Sequence, residues 1–180
     1  GGGAIARWFH ARAPAVSGDA VELSPTVARL AREYFDFPAP ESNWRLLVED
    51  IREHLVHSEL RYDYILVDLE ENQVTPEWVT GREFLQGCRD HLNPQGALTL
   101  NLILGDAHAI SEALMRIRQV FGADTLLLND PEHDNLLVVA FRAAAPQLPP
   151  THRLSTLGER WGIEFATLAK RVTRVARARR

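Results

Sequence analysis

One short link does most to narrow the folds open to this chain. Residues 124–129 and 135–141 both read as apolar strands, and only Asp130-Pro131-Glu132-His133-Asp134 separates them. A parallel pair needs a crossover of about a dozen residues or more, so these strands are predicted to form an antiparallel hairpin. Upstream the pattern is different. Apolar strands at 16–23, 44–48, 62–68 and 97–104 alternate with helical segments at 4–13, 25–34, 51–60, 80–92 and 107–121. That alternation predicts βαβ units and parallel pairing.

The expected fold class is therefore α/β. It is a Rossmann-like, mostly parallel sheet with helices on both faces and a terminal antiparallel β-hairpin. The late hairpin favours adenosyl-binding transferase sheets over ordinary dinucleotide folds, and no G-x-G-x-x-G spacing is present. Local signals set the element ends. Ser24 can cap a helix that has Pro25 at its first position, and Val27, Leu30, Ala31 and Tyr34 make one apolar stripe. Thr80 and Glu83 have capping-box spacing. Asn93-Pro94-Gln95-Gly96 has turn chemistry. Asp106 can open a further helix and Gly122 can end it.

The expected organisation is a body over residues 1–145, a linker over 146–150 and a basic amphipathic helical tail over 151–180. Leu157, Trp161, Phe165, Leu168 and Val172 share one helical face there, with a break at Gly162. The tail is predicted helical over about 155–176 and packed on the body or on a second subunit. Arg171, Arg174, Arg177, Arg179 and Arg180 crowd its end.

Composition excludes several classes. The single cysteine, Cys88, rules out a disulfide framework and a thiolate-rich zinc site, and fits a reducing compartment. Cys88 shares an apolar helical face with Phe84, Leu85 and Leu92, so filler is the expected role. His54 and His57 read as surface residues, and no metal is expected. Trp8, Trp44, Trp78 and Trp161 read as core or interface residues. Apolar runs fall far short of the ~20 residues that span a bilayer, and no secretory leader is evident. A cytoplasmic protein without membrane partners is expected.

Net charge is −4 and uneven. Residues 151–180 hold eight Lys and Arg against Glu159 and Glu164, a net of +6, which leaves −10 for residues 1–150. An acidic body argues against gripping nucleic acid by its phosphates and suits a cationic small substrate. Solvated surface charge is the plain alternative. A nucleic-acid role for the tail is the runner-up to packing.

In an open parallel sheet, ligands bind beyond the carboxyl ends of the strands. Glu22, Asp50 and Asp68 fall at three successive such ends, with Glu70 and Glu71 just beyond the third. A carboxylate such as Glu22 can accept both hydroxyl protons of a ribose. Asp50 can accept from an adenine amino group while the Ile51 N–H donates to a ring nitrogen. Helix caps and solvated loop acids are the alternative reading of each acid taken singly.

The segments GGGAIARWF, VELSPTVARLA, VEDIREHL and YDYILVD, in this order and spacing, resemble the spermidine synthase family. The resemblance covers about residues 1–141 and implies the adenosylmethionine-dependent transferase fold and a role in polyamine biosynthesis. It implies that Gly1, Gly2 and Gly3 form the cofactor loop and that Glu22, followed by Leu23, binds ribose. Asp50 and Ile51 would hold adenine, and Asp68 would be the catalytic acid that takes a proton from the amine. Glu70 and Glu71 would face the substrate. The donor would be decarboxylated S-adenosylmethionine or S-adenosylmethionine, the acceptor a small amine, and the assembly a homodimer.

Departures accompany the match. The family reads D-[ST]-[ST]-D-P-x-G-P after the catalytic strand, whereas this chain reads Asp68-Leu69-Glu70-Glu71-Asn72-Gln73-Val74-Thr75. Ala4 stands where the family has aspartate. The family's N-terminal β-rich segment and first strand have no counterpart here, so the sheet is expected to lack its first strand. Aminopropyl transfer to a diamine is the leading reading; methyl transfer and a non-catalytic nucleoside binder stay open.

Overall fold

Two sheets carry the fold, one in each of two compact units, residues 1–58 and 59–180. The computed structural model describes residues 1–122, 125–129 and 135–175. Asp124, the link Asp130 to Asp134, and Arg177, Arg179 and Arg180 lie outside the described residues.

The first unit runs α1 (Ala4–Arg12), β1 (Gly18–Glu22), α2 (Pro25–Tyr34), β2 (Trp44–Val48) and α3 (Ile51–His57). β1 and β2 pair in parallel, from Gly18↔Trp44 to Glu22↔Val48. The start of α2 follows from Ser24, whose Oγ accepts from the Val27 N–H at 3.3 Å, and from Pro25, whose missing N–H is not needed in the first turn. Its buried face is centred on Ala28 and Ala31; Tyr34, expected on the apolar stripe, is 70% exposed. The core is small: Ala6, Ala31, Phe37 and Trp44, with Phe9 stacked on Trp44.

The second unit runs β3 (Tyr62–Val67), a 3-10 turn (Glu77–Thr80), α4 (Arg82–Asp90), β4 (Leu92–Ile103), α5 (Ala107–Phe121), β5 (Thr125–Asn129), β6 (Asn135–Phe141), α6 (Thr151–Trp161), α7 (Phe165–Arg171) and β7 (Val172–Arg174). The sheet order is β3-β4-β6-β5-β7. β3 and β4 are parallel, and β6 runs antiparallel to both β4 and β5, so β3, β4 and β5 share one direction. The hairpin forced by the short link is therefore present. β4 is the spine: Leu98, Leu100 and Leu102 are fully buried, as are Leu85, Ile117 and Val138. Among the described residues β1 pairs only with β2, and β3 only with β4.

Several expectations are corrected. Thr80 and Glu83 do not form a capping box: the first helical residue of α4 is Arg82, its N-cap is Gly81, and the Thr80 hydroxyl donates to the Glu77 carbonyl instead. Residues 93–96 are not a turn before a strand but part of β4. The register jumps from Tyr62↔Leu92 to Tyr64↔Ala97, so they bulge from the ladder, held where the Arg142 N–H donates to the Gly96 carbonyl. The tail helix ends early. After Gly162 reverses the chain with φ +69°, α7 stops at Arg171, and Val172–Arg174 pairs antiparallel with β5. The tail is thus built into the second sheet, and neither α6 nor α7 buries a residue fully.

Candidate functional site

In the first unit, the end of β1 gathers several predicted residues. Glu22 accepts from the Ser24 N–H at 2.9 Å and from the Gly1 nitrogen through its other oxygen. Burial raises the Glu22 carboxyl, while the hydrogen bonds from the Ser24 and Leu23 backbone lower it. A single carboxylate so fixed keeps its charge and still has lone pairs for a diol. Leu23 beside it is 67% exposed, an apolar surface at the strand end.

Gly3 caps α1 at φ +74°, and a Cβ there would meet Phe37 Cδ2 at 2.5 Å. Only glycine fits both the left-handed conformation and the close approach. A Cβ on Gly1 would meet nothing.

Asp50, at the end of β2, is the N-cap of α3: its Oδ1 accepts from the Arg52 N–H at 2.8 Å. The Arg52 guanidinium also donates to both oxygens, at 2.6 Å to Oδ2. Those hydrogen bonds hold the Asp50 carboxyl below its ordinary pKa. Ile51 is the first residue of α3, so its N–H has no intrahelical acceptor. His54 on the same helix is buried with Nδ1 2.9 Å from Glu49 Oε1, not a surface residue as expected.

In the second unit, Asp68 is exposed just past β3. Its Oδ1 accepts from Asn101 Nδ2 on β4 at 2.8 Å, and Asn101 Oδ1 accepts from Asn135 Nδ2 on β6 at 3.0 Å. The acidic loop that follows is pinned at its far end. The Thr75 Oγ1 accepts from the Ile103 N–H at 2.8 Å, and the Thr75 N–H donates to the Ile103 carbonyl. Between them Glu71 and Val74 exchange both backbone hydrogen bonds around Asn72 and Gln73, at φ +52° and +65°. Glu70 and Glu71 point to solvent.

A cleft of about 240 Å³ is lined by Thr75, Glu77, Ile103, Gly105 and Glu112 among others, with Arg116 bridging Glu77 and Glu112. Asp68 and Glu70 do not line it. Glu71 lines a more open hollow with Trp78 and Arg82.

Cys88 is buried and its thiol is pushed up to about 12, as filler should be. Among the described residues no helix is long and apolar enough to cross a membrane, and no group of three or more His, Cys, Asp or Glu could hold a metal ion. The sequence reading missed Asn101, Asn135 and Thr75. The available signal was polar Thr99 and Asn101, two apart in an apolar strand, which marks one face of β4 as not purely core.

No family model matches the chain. A curated relative, the polyamine aminopropyltransferase of Neisseria meningitidis serogroup A, is 26% identical over 168 residues, covering 92% of this chain and 64% of the relative. The chain thus spans a little under two thirds of that relative's length. Among solved structures, a probable spermidine synthase from Corynebacterium glutamicum is 24% identical with a TM-score of 0.72, covering 89% of this chain and 59% of that one. Human methyltransferase-like protein 13, in complex with SAH, is 22% identical with a TM-score of 0.73, covering 94% and 78%. The chain is thus similar in sequence to polyamine aminopropyltransferases, and it shares its fold with a probable spermidine synthase and with a methyltransferase.

Proposed function

We propose, from this kinship with the polyamine aminopropyltransferases, that the chain belongs to an alkyl transferase moving an aminopropyl group from decarboxylated S-adenosylmethionine to a diamine such as putrescine. The observation that carries the reading is the sequence match to a protein of that name across 92% of the chain. The geometry of Glu22 supports it, since a fixed carboxylate at a strand end beside a glycine loop suits a ribose diol. In this reading Asp50 accepts from the adenine amino group through lone pairs that Arg52 leaves open, the Ile51 N–H donates to a ring nitrogen, and Leu23 covers the sugar or base. The loop Gly1 to Gly3 lets the backbone approach the donor.

The reaction is an in-line displacement. The amine lone pair forms a C–N bond to the carbon on S⁺, the C–S electrons return to sulfur, and methylthioadenosine leaves as a neutral thioether. The attacking nitrogen loses one proton, and Asp68 takes it. Alignment and this base are what the protein supplies. Glu70 and Glu71 attract the cationic acceptor. We place the enzyme in the cytoplasm as a homodimer.

Methyl transfer is the second reading, favoured by the fold of the human methyltransferase in complex with SAH. Adenosylmethionine keeps an α-carboxylate that needs a cation near the loop. Arg7, the nearest in sequence, donates instead to the Phe35 carbonyl at 3.1 Å. The test supplies each donor with putrescine. Methylthioadenosine from the decarboxylated donor is the expected product; adenosylhomocysteine alone would reject aminopropyl transfer.

A further inference from the structure

We infer that Asn101, held on its far side by Asn135, is a positioning residue that commits one oxygen of Asp68 and leaves the other for the amine. The inference rests on the transferase reading only in naming what Asp68 does. Register sets up the contact. Val67 pairs with Leu100 in the parallel β3–β4 ladder, so the next step places Asp68 beside Asn101. Asn101 pairs with Leu137 in the antiparallel β4–β6 ladder, and Asn135, paired with Ile103, is its diagonal neighbour on the same face. Leu100 and Leu102, on either side of Asn101, point to the other face and are buried, so the backbone beneath the amide is fixed.

The relay has one sense. Asn101 gives Nδ2 to Asp68 Oδ1 and takes Asn135 Nδ2 on Oδ1. Turning the Asn101 amide over would set its oxygen against the carboxylate and two NH₂ groups against each other. The Asp68 carboxylate only accepts, so Asn101 turns Nδ2 to it, and Asn135 Nδ2 then holds the Asn101 oxygen and steadies that orientation. Among the described residues Asp68 Oδ2 has no hydrogen-bond partner, so it is the oxygen open to an incoming N–H. An apolar residue would suit β4 better than Asn101 if the strand's only task were the core.

Isosteric and truncating variants at Asn135 separate this device from plain packing. Asn135→Asp keeps the shape but sets an acceptor against the Asn101 oxygen, so two carboxylates compete for the one Asn101 NH₂ and its bond to Asp68 is weakened. Asn135→Ala removes the support without setting an acceptor in its place. Turnover is expected to fall about threefold in Asn135→Ala and about tenfold or more in Asn135→Asp, with donor KM unchanged in both. Asn101→Ala should lose about tenfold, and adding Asn135→Ala to it should cost nothing more. A milder effect of Asn135→Asp than of Asn135→Ala, or additive losses, would overturn the inference. A second measurement does not need turnover. The Asn101 side-chain amide and the Asp68 carboxyl carbon should both shift by NMR in Asn135→Asp, whereas an unmoved Asp68 signal rejects the relay. A wild-type chain that turns over neither donor would end the transferase reading, and the NMR result would still decide the relay.

Discussion

Glu22 and Asp68 are both acids at the ends of parallel strands, yet they are held in different ways. Glu22 takes a backbone N–H from Ser24, two residues on, and Asp50 is likewise fixed by Arg52, two residues on. These contacts form as soon as the turn into the next helix forms. Asp68 takes its contact from Asn101, 33 residues away, and Asn101 takes its own from Asn135, 34 residues further. Those contacts exist only when β3, β4 and β6 are in register. Apart from the Gly1 nitrogen on Glu22, the acids proposed for the nucleoside are held by near neighbours in sequence, whereas the proposed base is held through the sheet.

The largest effect should come from the base. Asp68→Asn keeps the shape and the contact to Asn101 but cannot accept the proton at working pH. Turnover should fall by about 10³-fold, while methylthioadenosine binding by calorimetry stays unchanged. Loss of nucleoside binding together with turnover would break the division between the two regions.

Next is the spine that sets the register. Leu100 is fully buried on β4. Leu100→Ala should cost about 3 kcal/mol of stability in denaturant unfolding, from lost burial and the cavity left behind. It should also loosen the Asn101 contact to Asp68, so residual turnover falls in folded protein while Glu22-dependent binding holds. Equal damage to both would argue that the two regions are wired alike.

The same contrast explains what was legible in the sequence. Ser24-Pro25, Asp106 and Gly122 act within a few residues, and each terminus formed where the local chemistry put it. The hairpin was legible because five residues leave no other geometry. Thr80 failed as a cap because the 3-10 turn at Glu77–Thr80 claims its hydroxyl, and nothing in the i, i+3 spacing signals that turn. The bulge at residues 93–96 failed because turn chemistry and a bulge use the same residues, and only the partner strand tells them apart. β7 was hidden for a related reason. Three residues after a helix carry no period, and their pairing with β5 is a tertiary fact. Asn101 and Asn135 belong to this class, since their meaning lies in the register and not in their neighbours.

A smaller effect is expected at Glu22. Glu22→Ala should weaken nucleoside binding by about 1–3 kcal/mol, the range for a lost charged acceptor.

The smallest effect tests whether the loop after Asp68 is locally wired although Asp68 is not. Glu71 and Val74 close a tight turn in which Asn72 and Gln73 both hold positive φ. Asparagine accepts that conformation readily, but glutamine has a Cβ and no short-range hydrogen bond to compensate. Asn-Gly is the pair such a turn prefers. Gln73→Gly should then stabilise the protein by up to about 1 kcal/mol, the left-handed strain relieved less the entropy glycine adds to the unfolded chain. Turnover should not change, because Thr75 pins the loop to Ile103 independently of the turn residues. Destabilisation would show that Gln73 makes the turn in solution by some other backbone geometry. A changed kcat at unchanged stability would show that the turn, and not the sheet register alone, sets where Asp68 points.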